Sequence, residues 1–227
     1  MKRLGLVGGI SWVSTIDYYR RINEGVNAKR GGLHYADCIV RSLDFGAVQD
    51  VGWDKALPLL ARACADLKSA GAEAIVLCAS TAHLHLEALR ASVDLPFIDI
   101  VDAAAAEVVR HGLTRVGLLA TQFVMQSDLY ARGFARAGIE VLIPDSEASR
   151  DHIQFTLKEE LGRGLFSEET KRFYLQEIAS LRARGAQGVI LGCTEIPLFL
   201  NQGDCAVPLF DTLQIHAAAA VGFALSE

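Results

Sequence analysis

An internal duplication constrains the fold of this chain more than any other feature of its sequence. Three pairs of segments match in the same order at nearly the same spacing. They are residues 3–7 with 115–119, residues 71–77 with 185–191, and residues 96–99 with 208–211, at offsets of 112, 114 and 112. A match at one spacing is the signature of a repeated structural unit. The sequence therefore predicts two similar halves, residues 1–100 and residues 101–207.

Short apolar runs alternate with longer helical patterns along both halves. The pattern predicts strands at 3–7, 38–43, 73–78, 97–100, 115–120, 139–143, 187–191 and 208–210. It predicts helices at 13–28, 53–70, 82–92, 102–111, 126–137, 149–162, 167–184 and 212–225. A strand followed by a helix throughout is typical of a parallel sheet covered on both faces, so the predicted fold class is α/β. The C-terminal segment 208–227 is expected to return to the first half.

The turns after the predicted strands are the expected ligand site. Ligands of open parallel sheets bind beyond the carboxyl ends of the strands, so we expect these turns to face one cleft between two halves related by a pseudo-twofold axis. The candidate binding residues are Gly9, Ile10, Ser11, Ser80, Thr81, Ala82, Thr121, Thr194 and Glu195. Small hydroxyls and helix-start amides suit a carboxylate or another small anion. The alternative is that Ser80, Thr81 and Thr194 only cap the helices that follow.

Charge, hydropathy and cysteine spacing exclude several classes of protein. A net charge of −5 with scattered Lys and Arg does not suit a nucleic-acid partner, and the apolar stretches are shorter than the ~18 residues of a membrane span. The apolar run at residues 4–9 is too short for a signal peptide. Five cysteines without CxxC or Cys/His spacing indicate a reducing cytoplasm and predict no metal site. No GxGxxG or GxxxxGK[ST] motif supports a nucleotide cofactor.

Cys193 is the first candidate for chemistry. It ends a hydrophobic strand, and we expect it at a helix N-terminus, where a thiolate that can take a proton from carbon is favoured. The alternative is a buried structural cysteine. Glu195 could orient or repel substrate charge or cap the amides. His83 could tune a site proton or serve as a structural hydrogen-bond partner.

The motifs that carry a family resemblance span nearly the whole chain. They are Leu6-Val7-Gly8-Gly9-Ile10-Ser11-Trp12, Ser80-Thr81-Ala82-His83, Gly192-Cys193-Thr194-Glu195-Ile196, and Phe210-Asp211-Thr212 with His216. In these motifs the chain resembles the aspartate/glutamate racemase family. Gly31-Gly32-Leu33-His34 and Trp53-Asp54-Lys55 place it nearest the branch that includes L-aspartate/glutamate-specific racemases. The resemblance implies an isomerase that exchanges the α-proton of an acidic amino acid without pyridoxal phosphate or another cofactor. One acid/base group would come from each half.

The first half departs from the family pattern. It has Ala79-Ser80-Thr81 where the family has Cys-Asn-Thr, or Thr-Asn-Thr in the nearest branch. The 114-residue offset pairs Cys193 with Ala79, so Ala79 marks the position of a missing second acid/base group. Cys78 is one residue out of register, and consecutive strand residues point to opposite faces. Water, Cys78 or His83 would have to supply the second proton, and racemisation is expected to be slow or one-sided.

Two other functions stay open at this stage. A decarboxylase of the arylmalonate decarboxylase type keeps only the second-half cysteine, which protonates a planar enediolate on one face. A binding protein could keep the acidic-ligand cleft without catalysis. The alanine-rich helix surfaces at 103–106 and 217–220 could in addition pair two chains into a homodimer.

Overall fold

The computed structural model describes all residues, 1–227, and divides the chain into two units. Unit 1 comprises Met1–Ile100 with Leu213–Glu227, and unit 2 comprises Val101–Thr212. The sequence pattern assigns segment 208–227 to the first half, but residues 208–212 belong to unit 2. The reason is that Leu209–Asp211 forms a strand of the second sheet, and only the helix after it returns to unit 1.

Four parallel strands form the sheet of unit 1 in the order β2-β1-β3-β4. The strands are β1 (Leu4–Gly8), β2 (Cys38–Ser42), β3 (Ala74–Leu77) and β4 (Phe97–Ile98). Every residue of β1 and β3 is buried, as apolar runs at the centre of a sheet covered on both faces must be. The edge strand β2 is only half-buried.

Helices cover both faces of this sheet. Unit 1 contains α1 (Trp12–Arg30), α2 (Phe45–Val51), α3 (Leu57–Ser69), α4 (Leu86–Ser92) and, from the C-terminal segment, most of α10 (Thr212–Ala224). On one face α1 and α10 bury an apolar cluster that includes Tyr18, Ile22 and Val221. The opposite face carries a second cluster that includes Leu60 and Leu89. Short 3-10 helices occupy Trp53–Lys55 and Thr81–His85.

Unit 2 repeats this arrangement with a parallel sheet in the order β6-β5-β7-β8. Its strands are β5 (Arg115–Leu119), β6 (Glu140–Leu142), β7 (Val189–Leu191) and β8 (Leu209–Asp211). Its helices are α5 (Ile100–Arg110), α6 (Gln122–Gln126), α7 (Leu129–Ala135), α8 (Glu147–Glu159) and α9 (Glu168–Ala183). Short 3-10 helices occupy Leu161–Arg163, Ile196–Leu198 and Gln202–Asp204.

The duplication extends to single hydrogen bonds at the start of each sheet. In unit 1 the Glu73 amide donates to the Arg3 carbonyl at 2.8 Å, and in unit 2 the Gln187 amide donates to the Arg115 carbonyl at 2.9 Å. The side-chain oxygens of Glu73 and Gln187 in turn accept from the backbone amides of Arg3 and Arg115. The α/β prediction of two similar halves is therefore confirmed in each unit by itself.

Some predicted helices are interrupted. The helix predicted at 53–70 is wrong in its first part, because Gly52 adopts φ +81° after α2 and Pro58 lies in the first turn of α3. The segment 126–137 begins earlier, as α6, and Ser127 takes an extended conformation before α7. None of the helices is both long enough and apolar enough to span a membrane.

Candidate active site

Cys193 lies two residues after β7, in the loop that leaves the carboxyl end of the unit 2 sheet. Its Sγ donates to Oε2 of Glu195 at 3.0 Å. The Thr194 hydroxyl donates to the same carboxylate oxygen at 2.9 Å. Three consecutive side chains thus form one hydrogen-bonded group around the Glu195 carboxylate, with Cys193 and Glu195 partly exposed and Thr194 buried.

This environment raises the pKa of the Cys193 thiol well above its ordinary value. Burial is the largest cause, followed by the charge of the Glu195 carboxylate and its hydrogen bond to the thiol. The backbone amides of Thr194 and Glu195 act in the opposite direction but are outweighed. These surroundings favour the neutral thiol over the thiolate that the helix-start position alone predicts. The amides are present, but the adjacent 3-10 helix has only three residues and a carboxylate faces the sulfur.

Further polar groups lie beneath this loop on α8 and α9. The hydroxyl of Tyr174, which is fully buried, hydrogen-bonds Oγ1 of Thr156 at 3.1 Å. Because Thr156 donates to the Ile153 carbonyl, Tyr174 is the donor in this pair. Burial raises the pKa of Tyr174, and the nearby carboxylates of Glu160 and Glu195 add to the rise. Tyr174 is therefore a neutral donor near the site.

Backbone hydrogen bonds determine which residue of unit 1 corresponds to Cys193. The Cys78 amide donates to the Val7 carbonyl at 2.9 Å, and the Gly192 amide donates to the Leu119 carbonyl at 2.8 Å. Each pair joins the residue after the third strand to the end of the first strand of its own sheet. Cys78 is thus the counterpart of Gly192, and Ala79 is the counterpart of Cys193.

The turn after β3 is buried. Ala79, Ser80 and Thr81 are each less than a tenth exposed, and Ala82 is fully buried. Ser80 precedes the 3-10 helix Thr81–His85 without a side-chain capping bond. Thr194 donates to Glu195 at the equivalent turn of unit 2. The 3-10 helices Thr81–His85 and Ile196–Leu198 therefore both begin without a side-chain capping bond.

The Cys78 side chain lies on the other face of the sheet. It belongs to the apolar cluster with Leu4, Leu6 and Tyr18, whereas Ala79 belongs to the cluster on the opposite face. Burial raises the pKa of the Cys78 thiol far above its ordinary value. The structure therefore places Cys78 in the core, and its surroundings favour the neutral thiol.

The remaining candidates are engaged in local structure. The Gly9 amide donates to Oγ1 of Thr15 at 2.9 Å, and Gly9 adopts φ +86° where a Cβ would collide with the Leu43 carbonyl. Ile10 is buried next to it. Ser11 caps α1 by accepting from the Ser14 amide, and Thr121 caps α6 by accepting from the Val124 amide. Gly9, Ser11 and Thr121 thus have structural roles, and their part in ligand binding stays a prediction.

Two buried histidines of unit 1 lie in edge-to-face contact, which the sequence pattern does not predict. His216 lies between the Tyr18 hydroxyl, 2.8 Å from Nδ1, and the Ile98 carbonyl, 2.8 Å from Nε2. The Ile100 amide donates to Nε2 of His83 at 3.3 Å, and Nδ1 of His83 contacts the Ala79 carbonyl at 3.0 Å. Burial lowers the pKa of both rings, that of His216 to about 3. His83 is therefore a neutral structural residue that supports the turn at Ala79.

The other histidines and the titratable clusters show no metal-binding geometry. His34 and His111 are exposed at the surface, as expected of solvated residues. No group of three or more His, Cys, Asp and Glu side chains is placed to hold a metal ion.

Comparison with known proteins assigns the family. The Asp/Glu/Hydantoin racemase family model matches residues 7–220. A candidate Asp/Glu racemase from Yersinia pestis is 43% identical over 100% of both chains, with a TM-score of 0.92. An aspartate racemase homologue from Pyrococcus horikoshii OT3 is 33% identical over 100% of both chains, with a TM-score of 0.86. The chain belongs to the Asp/Glu/hydantoin racemase family.

The match to curated relatives is partial. A glutamate racemase from Desulforudis audaxviator is 29% identical over 150 residues, which are 65% of this chain and 53% of the relative. The alignments with this and similar glutamate racemases thus span about half the length of the relatives.

Proposed function

We propose that this protein is a cofactor-independent amino-acid isomerase that exchanges the α-proton of aspartate or glutamate. Cys193 is the acid/base group on one face of the α-carbon. The observation that carries this proposal is the position of Cys193 at the carboxyl end of β7, with its thiol hydrogen-bonded to Glu195 and the amides of Thr194 and Glu195 directed at the sulfur. In this position Cys193 can act as an acid through its thiol proton, and it can lose that proton to the Glu195 carboxylate.

The reaction needs stabilisation of a carbanion. When a base takes the α-proton, the electron pair of the C–H bond moves into the adjacent carboxylate, whose oxygens gain negative charge. Donors aimed at those oxygens supply a large part of such catalysis. In the proposal the hydroxyls of Ser80, Thr81 and Thr194 and the turn amides at Ala82 hold the carboxylates. The burial of Ser80, Thr81 and Thr194 supports this role, because hydrogen bonds are stronger where water is excluded.

Ala79 limits the reaction to one protein-supplied face. It is the structural counterpart of Cys193 and carries no proton. Cys78 lies in the core, and both ring nitrogens of His83 are engaged by backbone groups. Neither residue supports the role of second acid/base group, so water has to protonate the other face. Exchange of the α-proton without inversion should then be faster than racemisation.

A second candidate function has a specific observation in its favour. The resting thiol of Cys193, together with Ala79, suits a decarboxylase that protonates an enediolate on one face. Such an enzyme needs a proton donor rather than a base in its resting state. The release of carbon dioxide from a disubstituted malonate, with none from a Cys193→Ala variant, would favour this function over the isomerase.

Proton NMR in D2O tests the proposed isomerase. The protein is incubated with L- and D-aspartate, L- and D-glutamate and a panel of neutral amino acids, and the α-proton signal is followed over time. Loss of the signal for an acidic amino acid, with slower appearance of the other enantiomer, is expected. Tight binding of these amino acids without any deuterium incorporation would instead identify a binding protein and refute the isomerase.

A further inference from the structure

We propose that Glu195 is a positioning residue that holds the proton of Cys193 and accepts it when the sulfur must act as a base. The direct contact between Sγ and Oε2, at 3.0 Å, provides the path for this transfer. Its part in turnover rests on the proposed function, whereas its control of the thiol is a property of the chain that is measured separately.

Glu195 is oriented for this transfer. Its Oε2 accepts hydrogen bonds from two donors, the Cys193 thiol and the Thr194 hydroxyl at 2.9 Å. When the proton moves from Sγ to Oε2, the thiolate that forms keeps the backbone amides of Thr194 and Glu195 as hydrogen-bond donors. The product of the transfer is therefore solvated by the loop, so the loop can support both protonation states.

The transfer balances without any other reactant. The Sγ–H bond breaks as the carboxyl O–H bond forms, which leaves a thiolate and a neutral carboxylic acid. The thiolate then takes the α-proton, and the C–H electron pair enters the substrate carboxylate. The Glu195 carboxyl, which is partly exposed, then releases its proton to solvent, and its carboxylate accepts the former α-proton from Sγ. Deuterium from solvent returns by the same path, first to Glu195, then to Sγ and finally to the α-carbon.

The other ionisable groups near the sulfur are less well placed for this transfer. Glu160 follows α8, and its carboxylate accepts a hydrogen bond from the Thr170 hydroxyl. Tyr174 on α9 is a neutral donor to Thr156. Asp211 ends the neighbouring strand β8 and pairs in register with Leu191. Glu195 is the residue whose carboxylate contacts the thiol, so its removal should affect Cys193 more than any of these.

The direct test is the pH dependence of Cys193 alkylation by iodoacetamide, measured by mass spectrometry. No Lys or Arg follows Arg184, so trypsin leaves Cys193 and Cys205 together in the peptide 185–227. All variants are therefore made in a Cys205→Ala background. Glu195→Gln should lower the midpoint of the alkylation profile by at least about one pH unit, which is about a tenfold rise in thiolate at a fixed pH below the midpoint.

Turnover should move in the opposite direction. Glu195→Gln makes the sulfur easier to ionise but removes the group that accepts its proton. We expect kcat for α-proton exchange to fall on the order of 10²-fold, with KM changed much less, because a positioned acid/base group contributes about that factor. Glu195→Asp keeps the carboxylate and should recover part of the loss. It also serves if Glu195→Gln does not fold.

Glu160→Gln is the matched control, since it removes one carboxylate charge near the site without touching the thiol contact. Its alkylation midpoint should move less than that of Glu195→Gln. An unchanged or higher midpoint in Glu195→Gln, or an equal shift in Glu160→Gln, would overturn the inference. A wild-type protein that exchanges no amino acid would refute the proposed function alone, because the alkylation profiles would still decide whether Glu195 controls the thiol.

Discussion

Acidification should destabilise unit 1 through its two buried histidines, and the effect can be calculated for His216. Its pKa is lowered to about 3 by burial, against about 6.5 in an unfolded chain. The folded state therefore keeps the ring neutral while the unfolded state binds a proton, so stability falls as the pH falls from about 6.5 towards 3. Between pH 6 and pH 5 this linkage removes about 1.2 kcal/mol of unfolding free energy for one histidine.

Replacement of His216 by leucine should remove this contribution. The loss of unfolding free energy between pH 6 and pH 5 should become smaller by about 1.2 kcal/mol, whatever the stability of the variant at neutral pH. His83, whose pKa is also lowered by burial, keeps its own contribution. The carboxylates contribute little in this interval, because an unfolded Asp or Glu is already largely ionised above pH 5.

Tryptophan fluorescence during urea unfolding is a selective assay. Both tryptophans of the chain, Trp12 and Trp53, belong to unit 1, which also contains His216. His34→Leu, at an exposed histidine of the same unit, is the matched control and should leave the pH dependence unchanged. A His216→Leu variant with the same loss as the wild type would refute the conclusion that this ring is buried and neutral. The support for His83 as a structural residue would weaken with it, since the two rings lie edge to face at 5.5 Å.

Two further predictions concern the internal repeat. Ala79→Cys should raise the rate of inversion of aspartate or glutamate by on the order of 10²-fold or more, measured by circular dichroism of the amino acid. Cys78→Ala should not abolish α-proton exchange. If Ala79→Cys did not raise the inversion rate and Cys78→Ala abolished exchange, the correspondence of Ala79 with Cys193 would be wrong. Gly5→Ala should cost about 1–3 kcal/mol, because its Cβ would lie 2.8 Å from the Cβ of Ala72. Gly117→Ala should cost less, because the added Cβ would mainly meet a flexible methyl of Leu181. Equal losses of stability in the two variants, measured by thermal unfolding, would contradict this.

The duplication made most of the fold predictable from the sequence. Strand and helix order, the parallel sheets and the correspondence of Ala79 with Cys193 all depend on periodic burial and on a repeat spacing, which are written in the chain. The errors arose where local backbone geometry decides. The break at Gly52 and Pro58 and the early start of α6 are examples, as is the assignment of 208–212 to the wrong unit.

The protonation state of Cys193 could not be predicted in the same way. The position of Cys193 before a helix predicts that backbone amides stabilise its thiolate, and the amides of Thr194 and Glu195 do lie near the sulfur. The opposing carboxylate belongs to one of the same two residues, and only the side-chain rotamer of Glu195 decides whether it meets Sγ. The contact of Tyr18 with His216 joins residues 198 positions apart and has no signal in the sequence pattern.

In the proposed reaction, Cys193 moves the α-proton of an acidic amino acid. Initial rates of α-deuteration of aspartate and glutamate in D2O test it most directly. Cys193→Ala and Cys193→Ser are compared with Cys38→Ala, Cys64→Ala and Cys205→Ala, which remove the other cysteines outside the strand-end turns. Both Cys193 variants should lose exchange, since a hydroxyl is a far weaker base than a thiolate, while the three controls keep it. Full exchange in a folded Cys193→Ala variant would refute the role of Cys193 as the acid/base group.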